Sequence, residues 1–251
     1  MSTPPECDED LRPAELAPGV LVMFTGRAGG VSAAPYDTLN LDTAVGDDVA
    51  AVEANRRRVA QACGPAAGRL TWIRQVHGTT VADTRAAWPA EPPAADAMLA
   101  DAPGRVLVVM AADCAPVLLA DPKARIVAAA HAGREGMAAG VIAETVRAMS
   151  AAGADPARMH AVIGPHICGS CYEVPDQMRA RVAASVPDAG CVTRKGTPGI
   201  DLEAGIEAQL ARAGVGNVTA DGRCTAETQG LYSYRRDGKT GRFAGLIWLA
   251  S

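Results

Sequence analysis

Val106–Gly136 reads VLVVMAADCAPVLLADPKARIVAAAHAGREG, and its pattern decides the fold. Two near-continuous apolar runs, Val106–Ala112 and Ala115–Ala120, flank the Asp113–Cys114 pair. A third, Ile126–Ala130, leads straight into His131 and a glycine-containing turn. Runs of this length, rich in Val and Leu and bounded by turn signals, mark buried strands. A thiol and an imidazole placed where such strands end form a candidate Cys/His site.

Upstream, Gly19–Phe24 and Leu70–His77 read as strands, the second ending at His77 before Gly78. Ala95–Leu99 returns to the sheet and carries Asp96. Asp47–Cys63 reads as a helix with acidic residues at its start and Gly64–Pro65 as its stop. Downstream, Glu135–Ala152 reads as a helix, with Ile142, Val146 and Met149 on one face. Met159–Ile163, Asn217–Thr219 and Ala244–Leu249 read as strands. Pro175–Val186 reads as a helix, and a further one is capped by Asp201. Strands and helices mix without strict alternation, so the pattern predicts an α/β (α+β) fold in one domain, 18–251, behind a flexible tail, 1–17.

Composition removes several function classes. A net charge of −4 over 251 residues gives no basic field for nucleic acid or an anionic membrane. No apolar run reaches the ~18–20 residues of a membrane helix. The polar, acidic N-terminus has no apolar leader. Cysteine is odd in number, 7, and irregularly spaced. Reduced thiols in the cytoplasm are the expectation.

His77, Cys114 and His131 make the strongest chemical combination. Two imidazoles and a thiolate leave one position open on tetrahedral Zn²⁺, as in a catalytic site. The same atoms without metal describe a Cys114 nucleophile with His131 or His77 as base. A buried core cysteine beside two hydrogen-bonded histidines is the third reading. The long loop TGRAGGVSAAPYDTLNL offers Arg27 and backbone N–H groups to an anion, or is a surface turn. Arg56 is a weaker anion candidate. Cys168-x-x-Cys171 invites zinc or redox readings, yet no second C-x-x-C or H-x-x-x-H completes it.

FTGRAGGVS, VGDD, NRRRVA, RQVHG, ADAMLAD, ADCAPVLLADP, HAGREG, IGPHICGSCYEV and LYSYRRDGKTGRFAGLIWL follow one another in this order. Together, from about Leu21 to the C-terminus, they resemble the laccase-domain (YfiH-type) family. The resemblance implies layered mixed sheets flanked by helices, as in cytotoxic-necrotising-factor-like cysteine hydrolases. It implies zinc-dependent phosphorolysis of adenosine, inosine and S-methyl-5′-thioadenosine, and deamination of adenosine. Its partners would be purine nucleosides and phosphate. It places the metal triad on His77, Cys114 and His131, and Arg27, Ser233 and Arg235 at the nucleoside and phosphate pocket. Asp113 or Asp96 would shuttle protons. Copper, from the family's first description as polyphenol oxidoreductases, is the alternative metal, but 4 histidines cannot furnish a multicopper array. Peptidoglycan editing by a Cys114 hydrolase is the alternative activity. Two departures stand out: Arg134 and Glu135 replace the Trp and Arg of the family's HAGWRG, and Ser170–Cys171 stands where many members have adjacent cysteines.

Overall fold

In the computed structural model, residues 11–65 and 67–250 are described. Along the chain, β1 (Ala14–Ala17) turns back on β2 (Val20–Phe24), and a long loop leads to α1 (Val49–Cys63). β3 (Arg69–Trp72), β4 (Val81–Asp83) and β5 (Ala97–Ala100) precede β6 (Arg105–Ala111), β7 (Ala115–Asp121) and β8 (Ile126–Ala132). Next come α2 (Arg134–Ala139), α3 (Val141–Ala151), β9 (His160–Ile163), α4 (Asp176–Ser185) and the ribbon of β10 (Gly190–Val192) and β11 (Pro198–Ile200). The chain closes with α5 (Leu202–Arg212), β12 (Asn217–Ala220), α6 (Tyr234–Asp237) and β13 (Phe243–Leu249).

Two mixed sheets form, in the orders β1-β2-β13-β6-β3 and β12-β9-β7-β8-β5-β4. They stack face to face, and strand alternation sorts the side chains into layers. Leu107 and Val109 of β6 meet Leu118 and Ala120 of β7 and Val127 and Ala129 of β8 between the sheets. Val106 and Val108 point the other way, onto Val59 and Cys63 of α1. Val117, Leu119, Ala128 and Ala130 face α3 and α5 through Ile142, Val146, Ile206 and Leu210. Both faces of both central sheets are therefore covered. That is why β6, β7 and β8 read as unbroken apolar runs rather than as alternating ones.

Several expectations shift. The tail begins to pair earlier than expected: Ala14–Ala17 is β1, hydrogen-bonded to β2 through Ala14↔Val22 and Ala17↔Val20. Residues 1–10, with Cys7, lie outside the described residues. The helix read over Glu135–Ala152 is two, because Gly140 sits at φ 94° and its N–H closes α2 on Gly136 and Met137. A left-handed residue cannot continue a helix, and glycine takes that conformation without a Cβ penalty. The strand read over Leu70–His77 stops at Trp72. Beyond it, Gln75 binds the N–H and C=O of Met110 with its side chain, both at 2.8 Å, and so displaces main-chain pairing. Among the described residues, no helix is long and apolar enough to cross a membrane.

Candidate metal centre

The chain passes between the two sheets at one edge of the sandwich, and the site is built there. Cys114 lies in the short passage from β6 to β7. His131 is near the end of β8, opposite Pro116. His77 stands in the loop after β3 at φ 60°, and Asp113 has φ 106°. Non-glycine residues at positive φ are strained and persist only where neighbours over-determine them.

Asp96 supplies that constraint for His77. Its carboxylate accepts the N–H groups of Val76 at 3.1 Å, His77 at 2.9 Å and Gly78 at 2.6 Å. Its Oδ1 also faces His131 Nδ1 at 2.9 Å. Burial raises the Asp96 pKa, but the contacts to His131, Gly78 and Val76 outweigh it and hold the carboxylate below its ordinary range. With Nδ1 turned to Asp96, His131 keeps Nε2 for a metal, the orientation that carboxylate–histidine pairs impose.

Cys114 Sγ lies 3.9 Å from His77 Nε2. The two imidazole rings are 4.8 Å apart at 78°. One ligand atom from each of His77, Cys114 and His131 lies within 4.8 Å of the others. Gly133 makes this convergence possible, since a Cβ there would stand 2.8 Å from Cys114 Sγ and 2.9 Å from His77 Cδ2. Burial pushes the Cys114 thiol up, but His131 and His77 prevail and bring it down to about 6. Burial pushes His131 down, but Cys114 and Asp96 carry it up to about 9. The two shifts are linked and favour a thiolate beside an imidazolium, whose proton a bound cation would replace. Two imidazole nitrogens and one thiolate suit Zn²⁺ with a position left for another ligand.

The triad opens on a cavity of about 980 Å³. Arg56, Arg74, Arg134, Arg235 and Arg242 line it against only Asp42, Glu91 and Asp113, so an acidic protein presents a locally basic pocket. The Arg56 guanidinium lies over the Trp72 ring at 4.1 Å, and Arg235 over Tyr172 at 5.1 Å. Arg235 is anchored by a 2.7 Å bond to the Glu173 carbonyl.

The other sequence candidates fall as follows. Arg27 does not line the cavity. It pairs with Asp37 at 3.2 Å and Asp237 at 3.1 Å, and its Nε donates to the Asp37 carbonyl, so its charge is spent on pinning the loop. Ser233 is buried and caps α6, accepting from Arg236 N and donating to Asp113 at 2.7 Å. Asp113 borders the cavity, but its carboxylate takes Thr225 Oγ1 at 2.6 Å, Ser233 Oγ and the Arg235 N–H at 2.6 Å. These three bonds make Asp113 an anchor for the segment that carries Arg235, and Asp96 is held by its own set of donors. Glu135 is ion-paired with its neighbour Arg134, whose Nη1 also reaches Met178 Sδ. The sequence offers Asp96 only as a proton shuttle, not as the clasp on His77 and His131, and gives no role to Trp72 or Arg242. A lone carboxylate entering the apolar segment ADAML was the signal for the first of these.

A two-sheet sandwich carries at its seam a Cys/His set consistent with a metal site, open to an arginine-lined pocket. Residues 21–250 match the family described as multi-copper polyphenol oxidoreductase laccase, and the chain belongs to that family. It is 52% identical over 227 residues to purine nucleoside phosphorylase SCO2081 of Streptomyces coelicolor, covering 90% of this chain and 94% of that protein. Among solved structures it is similar to protein NMB0706 of Neisseria meningitidis, with a TM-score of 0.85, 38% identity, and coverage of 95% and 98% of the two chains. It is also similar to YfiH of Bacillus licheniformis, with a TM-score of 0.83, 29% identity and 92% coverage of each.

Proposed function

We propose that this protein is a zinc-dependent purine nucleoside phosphorylase that cleaves adenosine, inosine and S-methyl-5′-thioadenosine, and that it also deaminates adenosine. The observation that carries the reading is the His77–Cys114–His131 set, oriented by Asp96, facing a basic cavity with room for a nucleoside and a phosphate. The name of the Streptomyces relative, 52% identical, supports the same reaction class. Held by His77, Cys114 and His131, zinc would supply Lewis acidity beside the cavity.

The chain's own residues do the remainder. Arg235 and Arg242 meet the charge of phosphate while the bond between ribose and purine breaks with oxocarbenium character. The Arg56 guanidinium, laid flat on Trp72, offers a planar surface on which the base can stack. Asp96 holds the His131 tautomer, and Asp113 holds the Arg235 main chain in place.

The test is phosphate-dependent release of base from adenosine, and ammonia release, by protein of known zinc content. Both activities are expected to vanish in Cys114→Ala and on chelation, and to return with zinc. Undiminished turnover in Cys114→Ala refutes the reading. The thiolate–imidazolium pairing of Cys114 and His131 favours one rival, a metal-free cysteine hydrolase acting on peptidoglycan precursors. Rapid alkylation of Cys114 in the zinc-loaded protein would favour that rival, because a metal-bound thiolate is protected.

A further inference from the structure

A second cluster of soft ligands lies outside the triad. Cys168, Cys171, Cys224 and Glu227 bring one ligand atom each to within 4.8 Å of one another. The half-motif that sequence left incomplete is completed from more than fifty residues downstream. There Cys224-x-x-Glu227 repeats the spacing of Cys168-x-x-Cys171 with a carboxylate in the last place. We propose that these four side chains form a second, closed metal site that holds structural Zn²⁺.

The chemistry favours that ion. Three thiolates select soft cations such as Zn²⁺ and Cu(I), and a carboxylate in the fourth place favours zinc over the softer copper. Binding removes one proton from each thiol to solvent, with no change of oxidation state. Three thiolates and a carboxylate outweigh the charge of the cation, and Arg194 stands where that excess falls. Its Nη2 lies 3.3 Å from Cys171 Sγ and 2.5 Å from Glu227 Oε1. The Cys168 N–H donates to Cys224 Sγ at 3.4 Å, as an outer-shell bond to a ligating sulfur would.

Main-chain hydrogen bonds and close packing hold the frame. Cys171 and Tyr172 N–H groups both close on the Cys168 carbonyl. Between the paired cysteines, Gly169 packs so closely on Asp201, the α5 cap, that a Cβ would stand 2.8 Å from its Oδ2. Each half also abuts the triad's surroundings. Tyr172, next to Cys171, lines the large cavity, and Thr225, next to Cys224, holds Asp113. Zinc here would staple a wall of the cavity to the anchor beside Cys114.

The inference does not rest on the nucleoside reading, and its test uses full-length Cys114→Ala protein. Loaded with Co²⁺ under reducing conditions, this chain is expected to bind one equivalent and to show a thiolate-to-cobalt charge-transfer band. The band should be about three times as strong as that of a single-thiolate centre. With Cys114 intact, Cys224→Ser and Cys171→Ala should each bind one equivalent of zinc fewer than the parent chain. Glu227→Gln should release zinc to a chelator at least tenfold faster, and it keeps all three thiols should the cysteine variants fold poorly. Absence of the cobalt band in Cys114→Ala, unchanged zinc content in Cys224→Ser, or a disulfide among Cys168, Cys171 and Cys224 that persists in the presence of a thiol reductant would each overturn the assignment.

Discussion

Asp96→Asn keeps the size of the side chain and removes its charge, and the geometry allows the consequence to be followed atom by atom. The carboxylate accepts from Val76, His77 and Gly78 and from His131 Nδ1. An amide has one acceptor oxygen. If its NH₂ replaces Oδ2, it confronts the Gly78 N–H across 2.6 Å, donor against donor. If it replaces Oδ1, it confronts the His77 N–H and favours a His131 that accepts at Nδ1 and carries its proton on Nε2, the nitrogen a metal requires. Either orientation leaves a buried donor unpaired, at about 1–3 kcal/mol of stability. Both orientations remove the negative charge behind His131, and the second also reverses its tautomer, so zinc binding should weaken by about 10–100-fold. Competition with a chromophoric chelator measures the affinity and thermal unfolding of the metal-free protein measures the stability. A variant that binds zinc as tightly as the parent would refute the role given to Asp96.

Three more outcomes are expected. Gly133→Ala places a methyl group against Cys114 and His77 and should abolish zinc binding in a protein that still folds, as judged by circular dichroism and metal analysis. Zinc affinity should rise about tenfold per pH unit between pH 7 and 9, because Cys114 is already ionised above about 6 while His131, raised to about 9, must lose its proton to coordinate. A flat titration curve from calorimetry in that window would contradict this. Asp113→Ala removes the acceptor for Thr225, Ser233 and the Arg235 N–H, and should raise KM for phosphate more than it lowers kcat while zinc content stays at the parent's level.

The parts of the molecule that depend on local pattern were legible in the chain. β6, β7 and β8 fall where the apolar runs of Val106–Ala132 lie, since double burial leaves an unambiguous trace. Asp48 caps α1 and Asp201 caps α5, and both were marked by acids at the start of a helical pattern. The triad converges as the residues suggested. What escaped was set by distant partners. His77 looked like a strand end, yet the buried Asp96 bends its loop to a positive φ that no neighbour in sequence encodes. Arg27 looked free to hold an anion, but Asp237, far along the chain, claims it. The Cys168–Cys171 pair looked incomplete because its counterparts arrive from residues 224 and 227.

The origin of the three ligands in different parts of the sandwich has a consequence for the order of assembly. His77 follows a strand of the first sheet, His131 belongs to the second, and Cys114 lies on the crossing between them. Neither sheet alone carries the full set, and the Asp96 clasp reaches His77 only when the loop after β3 has settled beside β5. The β7–β8 hairpin alone sets Cys114 beside His131, because Ala115 pairs with Ala132 and Pro116 with His131, and only His77 waits for the first sheet. A cation held by all three side chains would therefore bridge the two sheets, and the full ligand set exists only in the docked sandwich.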